Sequence, residues 1–296
     1  MKKSGFVAIV GQPNVGKSTL LNRIIGQKIA IMSSKPQTTR TRIRGVLTNG
    51  AGQIVFLDTP GLHTPKHRLG EYMVEIAENS IREVDAVLFV IDATHVDSSK
   101  DDEILVRLRA SANPVILVIN KVDAVDKQNI LSLIDRYKEK YTFHAIIPLS
   151  AKTGDQVDVL VDTVFSLMAE GPQYYPDDMI TDHPEQFVMS EFIREKVLRL
   201  TREEVPHSVA VFIEHMEKRE DHNTLHIHAV IYTERESQKA ILIGKGGEML
   251  KKVGTLARRD IEAIFDTKVF LELWVKVKKD WRNRENLLRS FGYDRE

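Results

Sequence analysis

Gly11-Gln12-Pro13-Asn14-Val15-Gly16-Lys17-Ser18 decides how this chain folds. It follows the apolar run Phe6-Val7-Ala8-Ile9-Val10 and opens a helical pattern over residues 17–25 that begins Lys17-Ser18-Thr19. The spacing is G-x-x-x-x-G-K-[ST], set between a buried strand and a helix, the context in which such a loop wraps phosphate. Its glycines let the backbone turn N–H groups inward, and the helix N-terminus adds the positive end of its dipole to the same anion site. Lys17 brings charge to the β- and γ-phosphates, and the Ser18 hydroxyl suits Mg²⁺. Residues Gly11 through Thr19 are therefore the expected phosphate-binding loop.

Outward from this loop the pattern is α/β. Residues 6–10, 54–57, 86–91, 114–119 and 144–148 are short, apolar and rich in β-branched side chains, as strands covered on both faces must be. Helical patterns alternate with them at residues 17–25, 69–83, 101–110, 127–141 and 156–168. The alternation predicts an open, mostly parallel sheet with helices on both faces and ligands at the carboxyl ends of its strands. Residues 171–187, with Pro172, Pro176, Pro184, Asp177, Asp178 and Asp182, read as a linker. Beyond it the order is α-β-β-α-α-β, with helices over 188–200, 237–243 and 248–265 and strands over 208–217, 224–233 and 268–278. The chain thus divides into an α/β domain (1–170), the linker (171–187), a smaller α+β domain (188–279) and a polar, helical tail (280–296).

With 296 residues, 42% of them apolar, there is room for two packed domains. The absence of cysteine excludes disulfides and thiolate metal sites. Residues 1–5 lack the apolar core of a signal peptide, and no apolar run is long enough to cross a bilayer, so a cytoplasmic protein is expected. Net charge is zero, yet residues 235–296 carry 15 Lys and Arg against 10 Asp and Glu, which leaves −5 for the remainder. Such a basic stretch suits an acidic or nucleic partner, and equally a solvated face.

Three more loops fall at strand ends. Asp58-Thr59-Pro60-Gly61 closes the strand of residues 54–57; Asp58 can reach Mg²⁺ and the Gly61 N–H can meet the γ-phosphate. Asn120-Lys121-Val122-Asp123 closes the strand of residues 114–119 and chooses the base. The Asp123 carboxylate accepts from guanine N1–H and its 2-amino group, whereas adenine would leave it unpaired. Asn120 fixes the loop, the Lys121 stem lies along the base plane, and Ser150-Ala151-Lys152 offers a backbone N–H to guanine O6. Residues 33–44 are the expected first switch, where Thr38 or Thr39 reaches Mg²⁺. Arg40, Arg42 and Arg44 fit either a partner or a solvated loop.

These motifs, with Lys35-Pro36-Gln37-Thr38-Thr39-Arg40 and the stretch Glu170-Gly171-Pro172-Gln173-Tyr174-Tyr175-Pro176, resemble the Era family of bacterial GTPases over essentially the whole chain. The resemblance implies a P-loop GTPase domain followed by a type II KH domain, and it selects Thr39, which precedes an Arg, as the Mg²⁺ ligand beside Ser18 and Asp58. Lys17, Thr39, Gly61 and Asn14 are then the catalytic candidates. Many GTPases of this fold place a water-orienting Gln after the D-x-x-G glycine. Here Leu62 stands there, so hydrolysis is expected to be slow and to use a cation or a partner, with Asn14 holding K⁺ as in some relatives.

Gly244-Lys245-Gly246-Gly247 between two helices fits the G-x-x-G loop of a KH module, which clamps the backbone of a single strand. Ile241, Ile243, Leu250 and Val253 are candidates for an apolar groove under the bases, and Lys251, Lys252, Arg258 and Arg259 for its phosphate field. Trp274 and Trp281 read as packing the domain edge. Resemblance to the family implies GTP/GDP as ligands and the 3′ end of 16S ribosomal RNA as target, during rRNA processing and 30S subunit assembly. It also implies peripheral contact with the inner face of the cell membrane. A monomer is expected. The rival readings are a membrane-associated regulatory GTPase whose C-terminal module binds a protein, and an ATP-dependent kinase or ATPase, which Asn120 and Asp123 disfavour.

Overall fold

Strand β1 (Lys3–Val10) has parallel neighbours on both sides, as its apolar second half requires. The computed structural model describes residues 2–62, 65–96, 98–219 and 223–293. Strands β2 (Ile43–Asn49), β3 (Gly52–Asp58), β4 (Ala86–Asp92), β5 (Val115–Asn120) and β6 (Ala145–Pro148) complete a sheet of order β2-β3-β1-β4-β5-β6. Helices α1 (Lys17–Ile25), α2 (Arg68–Arg82), α3 (Ser98–Arg109), α4 (Lys127–Lys140) and α5 (Val157–Leu167) alternate with the strands. Strand order reverses about β1, so the loop that follows it opens at a topological switch point.

Every strand pairing within this sheet is parallel except β2 with β3. Strand β2 was not expected. It takes Ile43 and Arg44 out of the predicted switch loop and joins β3 through a hairpin in which Asn49 Oδ1 accepts the Ala51 N–H at 2.8 Å. The predicted linker is partly bound to this hairpin. Gln53, only 1% exposed, accepts the N–H groups of Tyr174 and Tyr175 at 2.8 and 2.9 Å, and Arg44 pairs with Asp182 at 2.9 Å.

The chain divides into two compact units. The first comprises Met1–Ala30, Thr39–Thr64 and Met73–Asp182; the second comprises Ile31–Thr38, Pro65–Tyr72 and His183–Glu296. In the second, α6 (Glu185–Leu200), α7 (Glu236–Ile243) and α8 (Glu248–Phe265) accompany a sheet of order β7-β8-β9, formed by β7 (Ala210–Arg219), β8 (Thr224–Thr233) and β9 (Lys268–Val277). The order α-β-β-α-α-β is as expected. Phe192, Ile193, Ile231, Val253 and Ile261 are buried in its core together with Ile31.

Helix α6 buries charge as well as carbon. Arg194, Glu195 and Lys196 are almost wholly enclosed, with Lys196 bonded to Glu195 at 2.6 Å and to Asp260. Glu195 Oε1 accepts the Met32 N–H at 2.9 Å, Arg199 donates to the Met32 carbonyl at 3.1 Å, and Arg194 donates to the Thr38 carbonyl. The stretch Ile31–Thr38 is thus held by its backbone within the second unit.

The tail departs from the expected polar segment. It does form α9 (Glu285–Ser290), but Trp281, Leu288 and Tyr293 are buried, and the Trp281 indole donates to the Ser208 carbonyl at 2.8 Å. Packing was the correct reading for Trp281. For Trp274 it was not: that side chain is 52% exposed on the open face of β9, where its indole donates to Glu272 at 3.0 Å.

Candidate nucleotide site and nucleic-acid groove

The loop between β1 and α1 owes its shape to backbone few residues adopt. Gly16 has φ +101°, and a Cβ there would stand 2.3 Å from Asn120 Nδ2; at Gly11 one would stand 2.3 Å from the Val90 carbonyl oxygen. Within the loop Lys17 is buried and donates to the carbonyls of Gly11 and Gln12 at 3.1 and 2.8 Å. Burial draws its pKa down to about 8, against the pull of the Asp58 carboxylate, which raises it. A phosphate arriving at Lys17 would restore the charged form by direct attraction.

Ser18, Thr39 and Asp58 converge. The Ser18 hydroxyl donates to Asp58 Oδ2 at 2.6 Å, Thr39 Oγ1 lies 3.0 Å from Ser18 Oγ, and the Thr39 hydroxyl donates to Asp58 Oδ2 at 3.3 Å. Burial raises the Asp58 pKa, opposed by Lys17 and by both hydroxyls. Asp58 Oδ1 is buried with no hydrogen-bond donor. An unsatisfied carboxylate oxygen among hydroxyls is a hard-oxygen set of the type that Mg²⁺ takes, so these residues fit the ion. Thr38 turns elsewhere, its hydroxyl donating to the Lys35 carbonyl at 2.6 Å.

Gly61 passes close to the phosphate loop: a Cβ would stand 2.8 Å from the Pro13 nitrogen. Thr59 is buried with its hydroxyl on the Ile9 carbonyl at 2.9 Å. Leu62 is 6% exposed and packs into the core, whereas His63 and Thr64 lie outside the described residues.

Asn120 joins the phosphate loop to the base loops. Its Nδ2 donates to the Val15 carbonyl at 2.8 Å and its Oδ1 accepts the Ala151 N–H at 3.0 Å. Lys121, at φ +67°, donates to the Asn14 carbonyl at 2.9 Å and pairs with Asp92 at 2.5 Å. Asp123 is exposed at the mouth; the Ser150 hydroxyl, 2.7 Å away, is the main cause of its lowered pKa and holds it as an ionised acceptor. Sequence reasoning missed Arg23 of α1, which donates to the Ala151 carbonyl at 3.1 Å and also to the Lys152 carbonyl. An Arg on a helix face carries no signal of a partner so distant in sequence.

In the second unit, Gly244, Gly246 and Gly247 have φ of +72°, +61° and +83°, and Lys245 between them is exposed. Beside this loop a groove of about 340 Å³ runs between α8 and β9. Gly247, Leu250, Lys251, Gly254, Thr255, Arg258, Phe270, Leu271 and Leu273 line it. Of the four predicted apolar candidates only Leu250 is on that wall. Val253 is wholly buried in the core, Ile241 is exposed, and Ile243 packs at the core's edge. Lys252 and Arg259 are exposed but do not line the groove. Gly254 sets its depth, since a Cβ there would meet Leu273 at 3.3 Å.

Known proteins share both parts. The family described as 50S ribosome-binding GTPase matches residues 6–121, and the KH domain family matches residues 204–282. An Aquifex aeolicus Era variant bound to GDP and AlF4⁻ is 46% identical, with a TM-score of 0.95 over 99% of this chain and 100% of that one. A structure of Era with MgGDPNP and nucleotides 1506–1542 of 16S ribosomal RNA is 46% identical, with a TM-score of 0.96 over 100% of both chains.

Proposed function

The chain belongs to the Era family of GTPases, and from that membership we propose that it is a GTP-controlled switch for single-stranded RNA at the 3′ end of 16S ribosomal RNA, acting in rRNA processing and 30S subunit assembly. The reading is supported by one chain holding both the bonded loops that carry Lys17, Asn120 and Asp123 and a G-x-x-G loop beside a groove lined by Leu250, Phe270, Lys251 and Arg258.

Each residue has a chemical task. Asp123 accepts the guanine N–H groups, and the Ser150-Ala151-Lys152 stretch faces O6 with its backbone, the Ala151 N–H itself being taken by Asn120 Oδ1. Lys17 and the loop amides meet the β- and γ-phosphates. Ser18, Thr39 and Asp58 would hold Mg²⁺, which would supply positive charge against the negative charge that builds up during phosphoryl transfer. Gly61, without a side chain to hit Pro13, brings its N–H to the γ-phosphate. Leu62 is aliphatic and packed away, so it orients no water, and intrinsic turnover is slow. Asn14, exposed at φ +66° on the loop's rim, supplies an amide oxygen suited to K⁺. Turnover in K⁺ and in Na⁺ at equal ionic strength tests that role; equal rates refute it.

Nucleotide state is relayed at Thr39. Its hydroxyl belongs to the Mg²⁺ set, whereas the residue before it is gripped by Arg194 of α6. Movement of Thr39 on hydrolysis pulls the Ile31–Thr38 backbone against α6, a route additional to the linker. The deciding experiment measures affinity for a 16S 3′-end oligonucleotide with GDP and with a non-hydrolysable GTP analogue. Tighter binding with the analogue is expected, and equal affinities remove the coupling. Absence of RNA binding in both states favours a protein-binding C-terminal module. The basic balance of residues 235–296 also supports peripheral contact with anionic lipid, checked by co-sedimentation with anionic vesicles.

A further inference from the structure

Asp101 lies near the start of α3 and is only 2% exposed. Its Oδ1 accepts Nε2 of Gln12 at 2.7 Å, and its Oδ2 accepts the Tyr137 hydroxyl of α4 at 2.5 Å. Tyr137 is wholly buried. Its pKa is raised, first by burial and then by Asp101, so the phenol stays a donor. The main-chain carbonyl of the same residue, Gln12, accepts Lys17 Nζ at 2.8 Å.

The two halves of the phosphate loop are restrained from different sides. Asn120 and Lys121 hold its second half through the carbonyls of Val15 and Asn14. The first half contains Gly11, at φ +153°, a conformation that L side chains rarely adopt and that brings its backbone close past the Val90 carbonyl. There Lys17 holds the carbonyls of Gly11 and Gln12, and the Gln12–Asp101 bond adds a restraint from outside the loop whose charged acceptor makes it the stronger kind of hydrogen bond. Asp101 is in turn fixed by Tyr137, a residue on a different helix with no route to the nucleotide in sequence.

We propose that Asp101 is a positioning residue for GTP hydrolysis: through the Gln12 side chain it fixes the peptide whose carbonyl aims the Lys17 ammonium at the β- and γ-phosphates. Tyr137 orients Asp101 from behind. The inference rests on the chain being a GTPase, and it adds a support that reaches the site from α3 and α4.

The test compares wild type with Gln12→Ala, Asp101→Ala, Asp101→Asn and the Gln12→Ala/Asp101→Ala double variant. Single-turnover GTP hydrolysis, GTP and GDP affinity, and thermal unfolding are measured for each. A loosened loop misplaces Lys17 by a fraction of an ångström, and kcat falls about 10-fold in Gln12→Ala and Asp101→Ala. Affinity falls less than kcat, because Lys17 contributes most where charge develops. The double variant is no slower than the slower single one, as expected of two groups acting as a unit. Asp101→Asn keeps an acceptor oxygen for Gln12 and recovers most of the rate. Wild-type kcat in Gln12→Ala, or losses that multiply in the double variant, overturn the proposal. A merely structural Asp101 would lower the unfolding temperature and leave the folded enzyme's kcat intact. Wild type without turnover overturns the GTPase reading itself, whereas turnover with multiplying losses overturns only the role of Asp101.

Discussion

Replacing Asn120 with Ala should damage stability and nucleotide binding together, because one side chain serves two loops. Asn120 is 2% exposed, donating to the Val15 carbonyl at 2.8 Å and accepting the Ala151 N–H at 3.0 Å. Alanine leaves the buried Ala151 N–H without this acceptor, at about 1–3 kcal/mol, and removes a bond to Val15 worth about 0.5–1.5 kcal/mol. The combined loss is about 1.5–4.5 kcal/mol. For a unit of this size each kcal/mol lowers the unfolding temperature by roughly 2–4 °C. The nucleotide-free protein should therefore melt about 3–18 °C lower, by differential scanning calorimetry at fixed protein concentration. Fluorescent GDP titration should show affinity down by at least about 10-fold, since about 1.5 kcal/mol of loop order must be restored on binding. A variant that melts like wild type, or one that melts low but binds GDP normally, refutes the claim that Asn120 links the two loops.

Further outcomes follow from burial and charge. Leu62→Gln places an amide in the first unit's core; it should cost about 2–4 kcal/mol in urea unfolding and bring no gain in turnover, since the position is enclosed among core side chains. Lys251→Gln and Arg258→Gln should each reduce the slope of log affinity for RNA against log salt by about 0.7, as loss of one single-strand phosphate contact does. Trp281→Ala should destabilise the second unit by about 3–5 kcal/mol, whereas Trp274→Ala should fall within about 0.5 kcal/mol of wild type, both read from denaturant midpoints.

The features most legible in the sequence were those whose spacing is itself the chemistry. The phosphate loop ends where α1 begins at Lys17, and α8 occupies residues 248–265 as its periodicity predicts. Strand β2 escaped because it pairs at the sheet's edge with Arg44 and Thr48 in its alternation, so its pattern resembles a polar loop. The groove escaped for a different reason. Leu250 and Val253 lie three positions apart on α8, close enough in angle to seem equivalent, yet one lines the groove and the other is enclosed. Which of them meets a ligand depends on the register of β9 alongside the helix, and no local pattern encodes that register. On β9 Trp274 alternates out of phase with the valines, so it lies on the exposed face, and packing at the domain edge fails there.

Thr38 and Thr39 show why adjacent, identical side chains can have unrelated tasks. Their hydroxyls diverge, one to the Lys35 carbonyl and the other to Asp58, as successive side chains on non-helical backbone tend to do. One of the divisions between the two compact units falls at the peptide joining them. On the Thr39 side the interaction is made by a side chain, and motif reading could find it. On the Thr38 side it is made by main-chain atoms: the Thr38 carbonyl to Arg194, and the Met32 N–H and carbonyl to Glu195 and Arg199. Backbone acceptors and donors exist at nearly every residue, so their use leaves no mark on the sequence of the switch segment. Its mark lies on the gripping helix instead, where Arg194, Glu195 and Lys196 are charged residues at positions whose neighbours Ile193 and Val197 are core. Three consecutive charges within an otherwise apolar run were the sign that α6 holds something other than hydrocarbon.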